Sequence, residues 1–425
     1  MVYETLLQQR NKVNYSKKII KCQICKAGKL ERIINLGFIP PVNDMKGIDE
    51  KSSEQITFPL ELYRCARCHH IQIDTIVSTN ILFPFSYPYV TGNTKILIKN
   101  FSDLLNQCKK LISFKENDLV IDIGSNDGSL LKNFKDAGIK TLGIEPSQAS
   151  KISKKNNIPT LVKYFNNETV EFIRNKYGKA KLITATNVFA HIEDPNKLVS
   201  LVKKLMDGKS IFVTESHYLV SLLKTVQYDT VYHEHLRYYH LNALKVLFER
   251  NNMEIINVKK IKTHGGSIRV FASKKGNFMI DKNVAEMIKA EKDYGLSDFK
   301  IYRNFKKKIV NSKFLLLKMM TDLKLRGKKI YGVGSPSRAS TLINFVGLDE
   351  NFIDCILEVK HSSKINKFMP GTRIPVVDEK FINKDSPDYL LLLSWHIADE
   401  LIKVFKKKGY KGKFILPLPK PLIIS

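Results

Sequence analysis

The sequence lacks any apolar run near the ~18–20 residues that a helix needs to cross a bilayer. Its longest, Tyr389-Leu390-Leu391-Leu392-Leu393, suits a buried strand. The opening MVYETLLQQRN has no apolar segment of the signal-peptide kind. A soluble, cytoplasmic chain with no membrane partner is therefore expected. Acidic residues are in short supply, 41 Asp and Glu against 70 Lys and Arg, for a formal charge of +29. That excess suits nucleic acid, an anionic membrane or an anionic substrate. The Lys residues are scattered, however. Runs such as Lys306-Lys307-Lys308 and Lys406-Lys407-Lys408 read as solvated helix faces rather than as a binding tail. A basic strip interleaved with aromatics is missing, which argues against single-stranded nucleic acid. HExxH is missing too, and with it the usual zinc hydrolase signature. Cysteine is scarce, six residues in 425, yet four of the six fall into two CxxC pairs.

At 425 residues the chain is too long for one ordinary domain, and two or three are expected. Three segments can be told apart. The first, 1–80, holds KCQICKAG and YRCARCHH. Cys22, Cys25, Cys65 and Cys68 would close a tetrahedral thiolate shell with no open position, hence a structural zinc rather than a catalytic one. His69 and His70 are then not needed as ligands. The second segment, 81–285, alternates strands and helices in a parallel, doubly wound α/β pattern. The third, 286–425, opens with a long helical region. KKIYGVGSPSRASTLINF then repeats the order strand, Gly turn, helix, which suggests a second nucleotide fold.

In IDIGSNDGSLL a Gly-rich turn, with Gly124, Ser125, Asn126 and Gly128, joins a strand to a helix. Gly124 allows close backbone approach to a ligand and Gly128 a tight turn. The pattern is GxNDG rather than GxGxxG, and alone it fits NAD, a flavin or S-adenosylmethionine. Glu145 ends the next strand, where a carboxylate can accept ribose hydroxyls. Asp122 precedes the turn in a place more typical of methyltransferases than of dehydrogenases. Asn187 and Val188 follow the third strand, where an adenine or methionine portion would lie.

Histidine is sparse, ten in all, yet YHEHLRYYH at 232–240 gathers three with a Glu. Acid–base catalysis, a second metal site with His233, Glu234 and His235 as ligands, and a plain polar stretch all remain open. HxH puts both rings on one face only in an extended strand. In HGGSIRV the paired glycines suggest close approach of a ligand or a strand. Arg269 would face a diphosphate or pair with an acid. In GVGSPSRAS, Ser335 and Arg338 at a helix start would suit phosphates, the alternative being a tight turn with no ligand.

Together IDIGSNDGSLL, GIEPS, TATNVFAHIEDP, YDTVYHEHLRYYHL, HGGSIRV and the paired CxxC resemble the three-domain sugar C-methyltransferases of deoxysugar biosynthesis, which act at C-3 of nucleotide-linked 4-keto sugars. The resemblance spans nearly the whole chain. It implies an N-terminal zinc-binding domain, a central Rossmann-like class I methyltransferase domain and a C-terminal Rossmann-like α/β domain that helps bind the nucleotide sugar. It implies S-adenosylmethionine and structural Zn2+ as cofactors, and a monomer or weak oligomer is expected. His235 becomes the expected general base, Glu234 its orienting group or a substrate ligand, and Tyr232 a donor to the sugar or enolate. His191 would assist the enolate, and one of Tyr87 and Tyr89 would act on or position the substrate. A methyltransferase that modifies RNA is the rival class, disfavoured because TNVFAHIED is not the Asn/Asp-Pro-Pro-aromatic loop of base N-methyltransferases. A small-molecule O- or N-methyltransferase would not need a His-rich carbon-acid site.

Overall fold

The structure is a computed structural model that describes residues 15–50, 55–85, 87, 90–93 and 95–425. Tyr89 lies outside the described residues. The N-terminal segment contains β1 (Ser16–Lys18), β2 (Leu30–Ile39), β3 (Phe58–Cys65), β4 (Ile71–Ile73) and β5 (Thr75–Val77). β2 and β3 alternate buried and exposed positions, as strands with one face on a core do. β1 pairs only with β5.

The central segment contributes β6 (Leu119–Ile123), β7 (Lys140–Ile144), β8 (Thr160–Leu161), β9 (Ala180–Thr186), β10 (Met206–His217), β11 (Arg237–Tyr238), β12 (Met253–Ile261) and β13 (Ser267–Lys274). Seven of them form one sheet in the order β12-β13-β10-β9-β6-β7-β8. β6 is buried at all five positions, which is why LVIDI reads as an unbroken apolar run with one acid. The strands are parallel from β8 to β10, as expected, but β13 runs antiparallel to both neighbours. The wholly parallel sheet read from the sequence is corrected here: only five residues link β12 to β13, too few for a parallel crossover. β11 leaves the central sheet and pairs with β4, completing the four-stranded sheet β11-β4-β3-β2. The N-terminal unit thus takes a strand from the stretch that carries YHEH. Position 285 falls inside the helix Lys282–Tyr294, which packs on β12, so this layer continues past it.

The helix Phe299–Leu325 leads to β14 (Ile330–Val333), β15 (Cys355–Glu358), β16 (Lys367–Phe368), β17 (Pro375–Asp378), β18 (Tyr389–Leu392), β19 (Lys413–Leu416) and β20 (Leu422–Ile424). They form a second seven-stranded sheet, β16-β17-β15-β14-β18-β19-β20, parallel in its five middle strands. The echo read in GVGSPSRAS is therefore real at the level of fold. One buried apolar cluster, from Cys22 to Leu418, runs through all three segments. Among the described residues no helix is long and apolar enough to cross a membrane.

Candidate metal centre and active site

The four thiolates come together. Their sulfur atoms all lie within 4.8 Å of one another, with Cys22–Cys68 at 3.5 Å and Cys25–Cys65 at 3.6 Å. A tetrahedron with metal–sulfur bonds of about 2.3 Å has edges of about 3.8 Å, so the cluster fits Zn2+. Both CxxC turns are built alike. The residue after each pair, Lys26 or His69, is left-handed, and its N–H reaches the carbonyl of the first Cys. Cys22 and Cys65 also accept backbone N–H groups, at 3.4 Å each. His69 turns to Arg64 and His70 is buried against Tyr239, so neither competes for the metal.

The cofactor turn follows β6. Gly124 has φ +68, and a Cβ there would meet Val188 Cγ2 at 2.5 Å. Asn126 and Asn187 are left-handed as well. Glu145 accepts Asn126 N–H at 2.9 Å through one oxygen and Ser147 N–H at 2.8 Å through the other. A carboxylate offers about four lone-pair sites, so two remain for ribose hydroxyls. Ser125 Oγ is buried without a hydrogen-bond partner, a polar atom left for a ligand of this turn. The turn thus fits an adenosine-bearing cofactor, which Glu145, Ser125 and Asn126 would hold. Asp122 lies deeper. It accepts Thr184 Oγ1 at 2.6 Å across the sheet, and burial pushes its carboxyl up to about 7.

Sequence reasoning missed how the turn is covered. Asn126 and Asp127 accept the N–H groups of Thr91 and Gly92, at 2.9 and 2.7 Å, and Gln148 N–H reaches Phe85 O. Phe85, Thr91 and Gly92 are thereby tied over this turn. The cue was the unused Asn-Asp within GSNDG. Removing Glu145's charge should loosen the turn: we expect Glu145→Gln to weaken adenosylmethionine binding by ~10–100-fold, as losing a charge-assisted hydrogen bond of about 1.5–3 kcal/mol would. Calorimetry checks it.

The YHEH stretch follows a 3-10 turn at Tyr228–Thr230 and forms a tight turn in which His235 N–H bonds Tyr232 O, then β11. His235 Nδ1 lies 3.0 Å from Thr230 O. A carbonyl only accepts, so Nδ1 carries the proton and Nε2 keeps its lone pair. Nε2 lies 3.0 Å from Tyr232 OH. Burial, with His191 nearby, holds His235 well below its ordinary pKa and therefore neutral. His191 Nδ1 lies 2.6 Å from Glu234 O, and burial pulls it down to about 4. Glu234 is buried and accepts Tyr87 OH and Asn43 Nδ2, at 2.7 Å each. Burial pushes it up to about 7, the two hydrogen bonds opposing. Asn43 comes from the zinc-bearing segment and also accepts Ser337 Oγ of the C-terminal segment at 3.3 Å, so all three segments meet at Glu234. His233 points the other way, to Pro59 O at 3.2 Å. That removes it from any metal set with His235; among the described residues the four-Cys group is the one candidate metal cluster.

Two histidines that the sequence reading did not single out complete the site. His217 ends β10 with its ring centroid 5.0 Å from that of His235, and His264 lies 5.7 Å from His217. His217 is an isolated His at a strand end and His264 one in the 3-10 turn between β12 and β13; the glycines after His264 were the only cue.

Three expected substrate contacts are corrected. Arg269 is fully buried, and its guanidinium meets Glu215 at 2.6 Å, Asn100 at 2.9 Å and Asp103 at 3.2 Å. Those acceptors take four of its five N–H donors, and the group is fully buried, so the acid pairing is the one the structure shows. Arg338 grips Asp229 with two bonds, at 2.7 and 2.8 Å, and lies over Trp395. It joins the central and C-terminal segments instead of binding phosphate. Ser335 gives both its N–H and its hydroxyl to Glu358, at 2.8 and 2.5 Å, so a carboxylate already fills the expected anion position. The paired glycines of HGGSIRV are approached by side chains: a Cβ would strike Gln227 at Gly265 and Ser221 at Gly266.

The chain matches three family models in series: a zinc binding domain over residues 22–83, a methyltransferase domain over 96–258 and a C-methyltransferase C-terminal domain over 262–419. It is 30% identical over 417 residues to the C-methyltransferase NovU of Streptomyces niveus, covering 96% of this chain and 97% of that one. The chain belongs to the multi-domain S-adenosylmethionine-dependent C-methyltransferases. Its cofactors are S-adenosylmethionine and, at the four-Cys centre, zinc. Among solved structures, an S-adenosylmethionine-dependent methyltransferase of Anabaena variabilis is 17% identical, with 45% of this chain and 89% of that chain covered and a TM-score of 0.35. The PH0226 protein of Pyrococcus horikoshii is 12% identical, with 46% and 98% covered and a TM-score of 0.35.

Proposed function

We propose that the chain methylates C-3 of a nucleotide-linked 4-keto-deoxysugar. Carbon methylation beside a ketone needs a neutral base, a donor for the enolate oxygen and a nearby methyl source. The observation that carries the reading is His235, buried and neutral, with its Nε2 lone pair set by the Thr230 carbonyl. Nε2 takes the proton from the carbon next to the ketone, and the C–H pair moves into the enolate. The carbon then takes the methyl group, and the C–S pair stays on sulfur. Tyr232 is held at Nε2 of the base, and His191, whose Nδ1–H is given to Glu234 O, presents an Nε2 acceptor beside it, while Glu234 and Tyr87 orient the sugar. Tyr89 is kept as a second candidate for that role. Asn187 and Val188 line the methionine side of the cofactor. An O- or N-methyltransferase would have no use for this base. The protein is read as cytoplasmic, monomeric or weakly oligomeric, and without a nucleic-acid partner.

The test is mass spectrometry of the protein with S-adenosylmethionine and a panel of nucleotide 4-keto-deoxysugars in heavy water. A gain of one methyl on carbon, with deuterium exchange at the same carbon, is the expected result. Methyl on oxygen, or silence across the panel alongside a salt-sensitive RNA gel shift, would overturn the reading.

A further inference from the structure

His264 stands in a costly conformation, and its buried Nε2 has no hydrogen-bond partner among the described residues. Its backbone is left-handed, φ 54 and ψ 29, followed by Gly265 at φ 82 and Gly266 at φ 110. Such geometry at a non-Gly residue persists only where the surroundings hold it. Here Gln227 Nε2 binds Gly265 O at 2.8 Å, and Tyr218 N–H binds Gly266 O at 3.1 Å. The imidazole so fixed has its Nε2 buried without a hydrogen-bond partner. Leaving a buried polar atom unsatisfied is costly, so a ligand atom is the natural partner. The ring sits at the active site: His217 lies between it and His235, with centroid separations of 5.7 and 5.0 Å.

We propose that His264 is a further catalytic residue, donating a hydrogen bond from Nε2 to the ketone oxygen of the substrate as that oxygen becomes an enolate. The assignment rests on the keto-sugar reading above. His235 takes the hydrogen of the α-carbon at one end of the cluster, and His264 meets the ketone oxygen, two bonds from that carbon, at the other. Each contact needs a reach of ~2.6–3.2 Å. No proton leaves His264 in the step; the negative charge develops on oxygen, and the proton removed stays on His235. Burial and the guanidinium of Arg338 keep His264 neutral, at about 4, so it acts as a dipole donor. Such a donor is useful because the charge it stabilises is absent from the ground state.

His264→Gly removes the ring and suits the left-handed backbone. His264→Asn also tolerates that backbone and restores an N–H. With a panel sugar that wild type methylates, His264→Gly should lose ~10²–10³ in kcat. Its deuterium exchange in heavy water should fall in parallel, while the KM of the sugar, adenosylmethionine affinity and melting temperature stay near wild type. His264→Asn should recover part of the rate. Full kcat in His264→Gly, a change in KM alone, or a collapse in melting temperature shared by both variants would overturn the assignment. Failure of the keto-sugar reading would show separately, as wild type that neither exchanges nor methylates, and the assignment would fall with it.

Discussion

Replacing His235 with Asn should abolish most methyl transfer while leaving adenosylmethionine binding intact. Asn can keep the bond to Thr230 O but has no atom at the Nε2 position, so the base is lost and the turn is kept. A positioned general base typically contributes ~10²–10⁴-fold, and kcat should fall by about that factor. The cofactor turn at Gly124 and Glu145 lies on other loops and should not notice. The pH profile adds a second check. His235 titrates well below its ordinary value, so it is already neutral at pH 6 and does not set an acid limb near neutrality. Glu234 does, at about 7. Tyr87 and Asn43 both donate to it, which is the arrangement of the ionised carboxylate. As pH falls through 7 that carboxylate gains a proton and gives up one of those bonds, so kcat/KM should fall on the acid side. In Glu234→Gln the limb should disappear. A wild-type profile flat from pH 6 to 8 would separate Glu234 from the reaction.

What could be read from the sequence was what local spacing encodes. Two CxxC pairs predicted the four-thiolate cluster, and GxNDG marked a left-handed turn whose Asn126 N–H meets Glu145, because each motif is short and each Gly or Cys has few structural uses. His235 and Tyr232 are three residues apart and meet through one tight turn. The sequence left two readings open for each arginine turn because the acceptors are remote: Glu215 is 54 positions from Arg269, and Asp229 is 109 from Arg338. An Arg within a Gly-containing turn looks the same whether its partner is a phosphate or a buried carboxylate. Asn43, His217 and His264 escaped for a related reason. Asn43 stands alone in the first segment, and His217 and His264 lie 18 and 29 positions from His235 within the central one, so only tertiary packing brings them to Glu234 and His235.

That convergence makes the metal centre a condition of catalysis, although it lies outside the cofactor fold. The zinc-bearing segment supplies Asn43 to Glu234 and Pro59 O to His233, and its β4 pairs with β11, directly after His235. Gln23, between the first two thiolates, contacts Arg237, and its carbonyl accepts Asn196 Nδ2 at 3.0 Å. A small unit tied by four thiolates depends on its metal: structural zinc contributes apparent binding energies of about 10–16 kcal/mol in zinc-finger peptides. Stripping the zinc, or replacing Cys68 with Ser, should therefore release β4 and the groups around Glu234. We expect methyl transfer to fall by at least ~10²-fold, on the scale of losing one preorganised donor. Adenosylmethionine binding at the central sheet should persist, since Gly124, Glu145 and Val188 touch none of the thiolates. Readding zinc should restore the rate of the stripped enzyme but not that of Cys68→Ser. Methyl transfer that survives complete metal removal would show that the YHEH turn holds its shape without β4, and the link between metal and base would be lost.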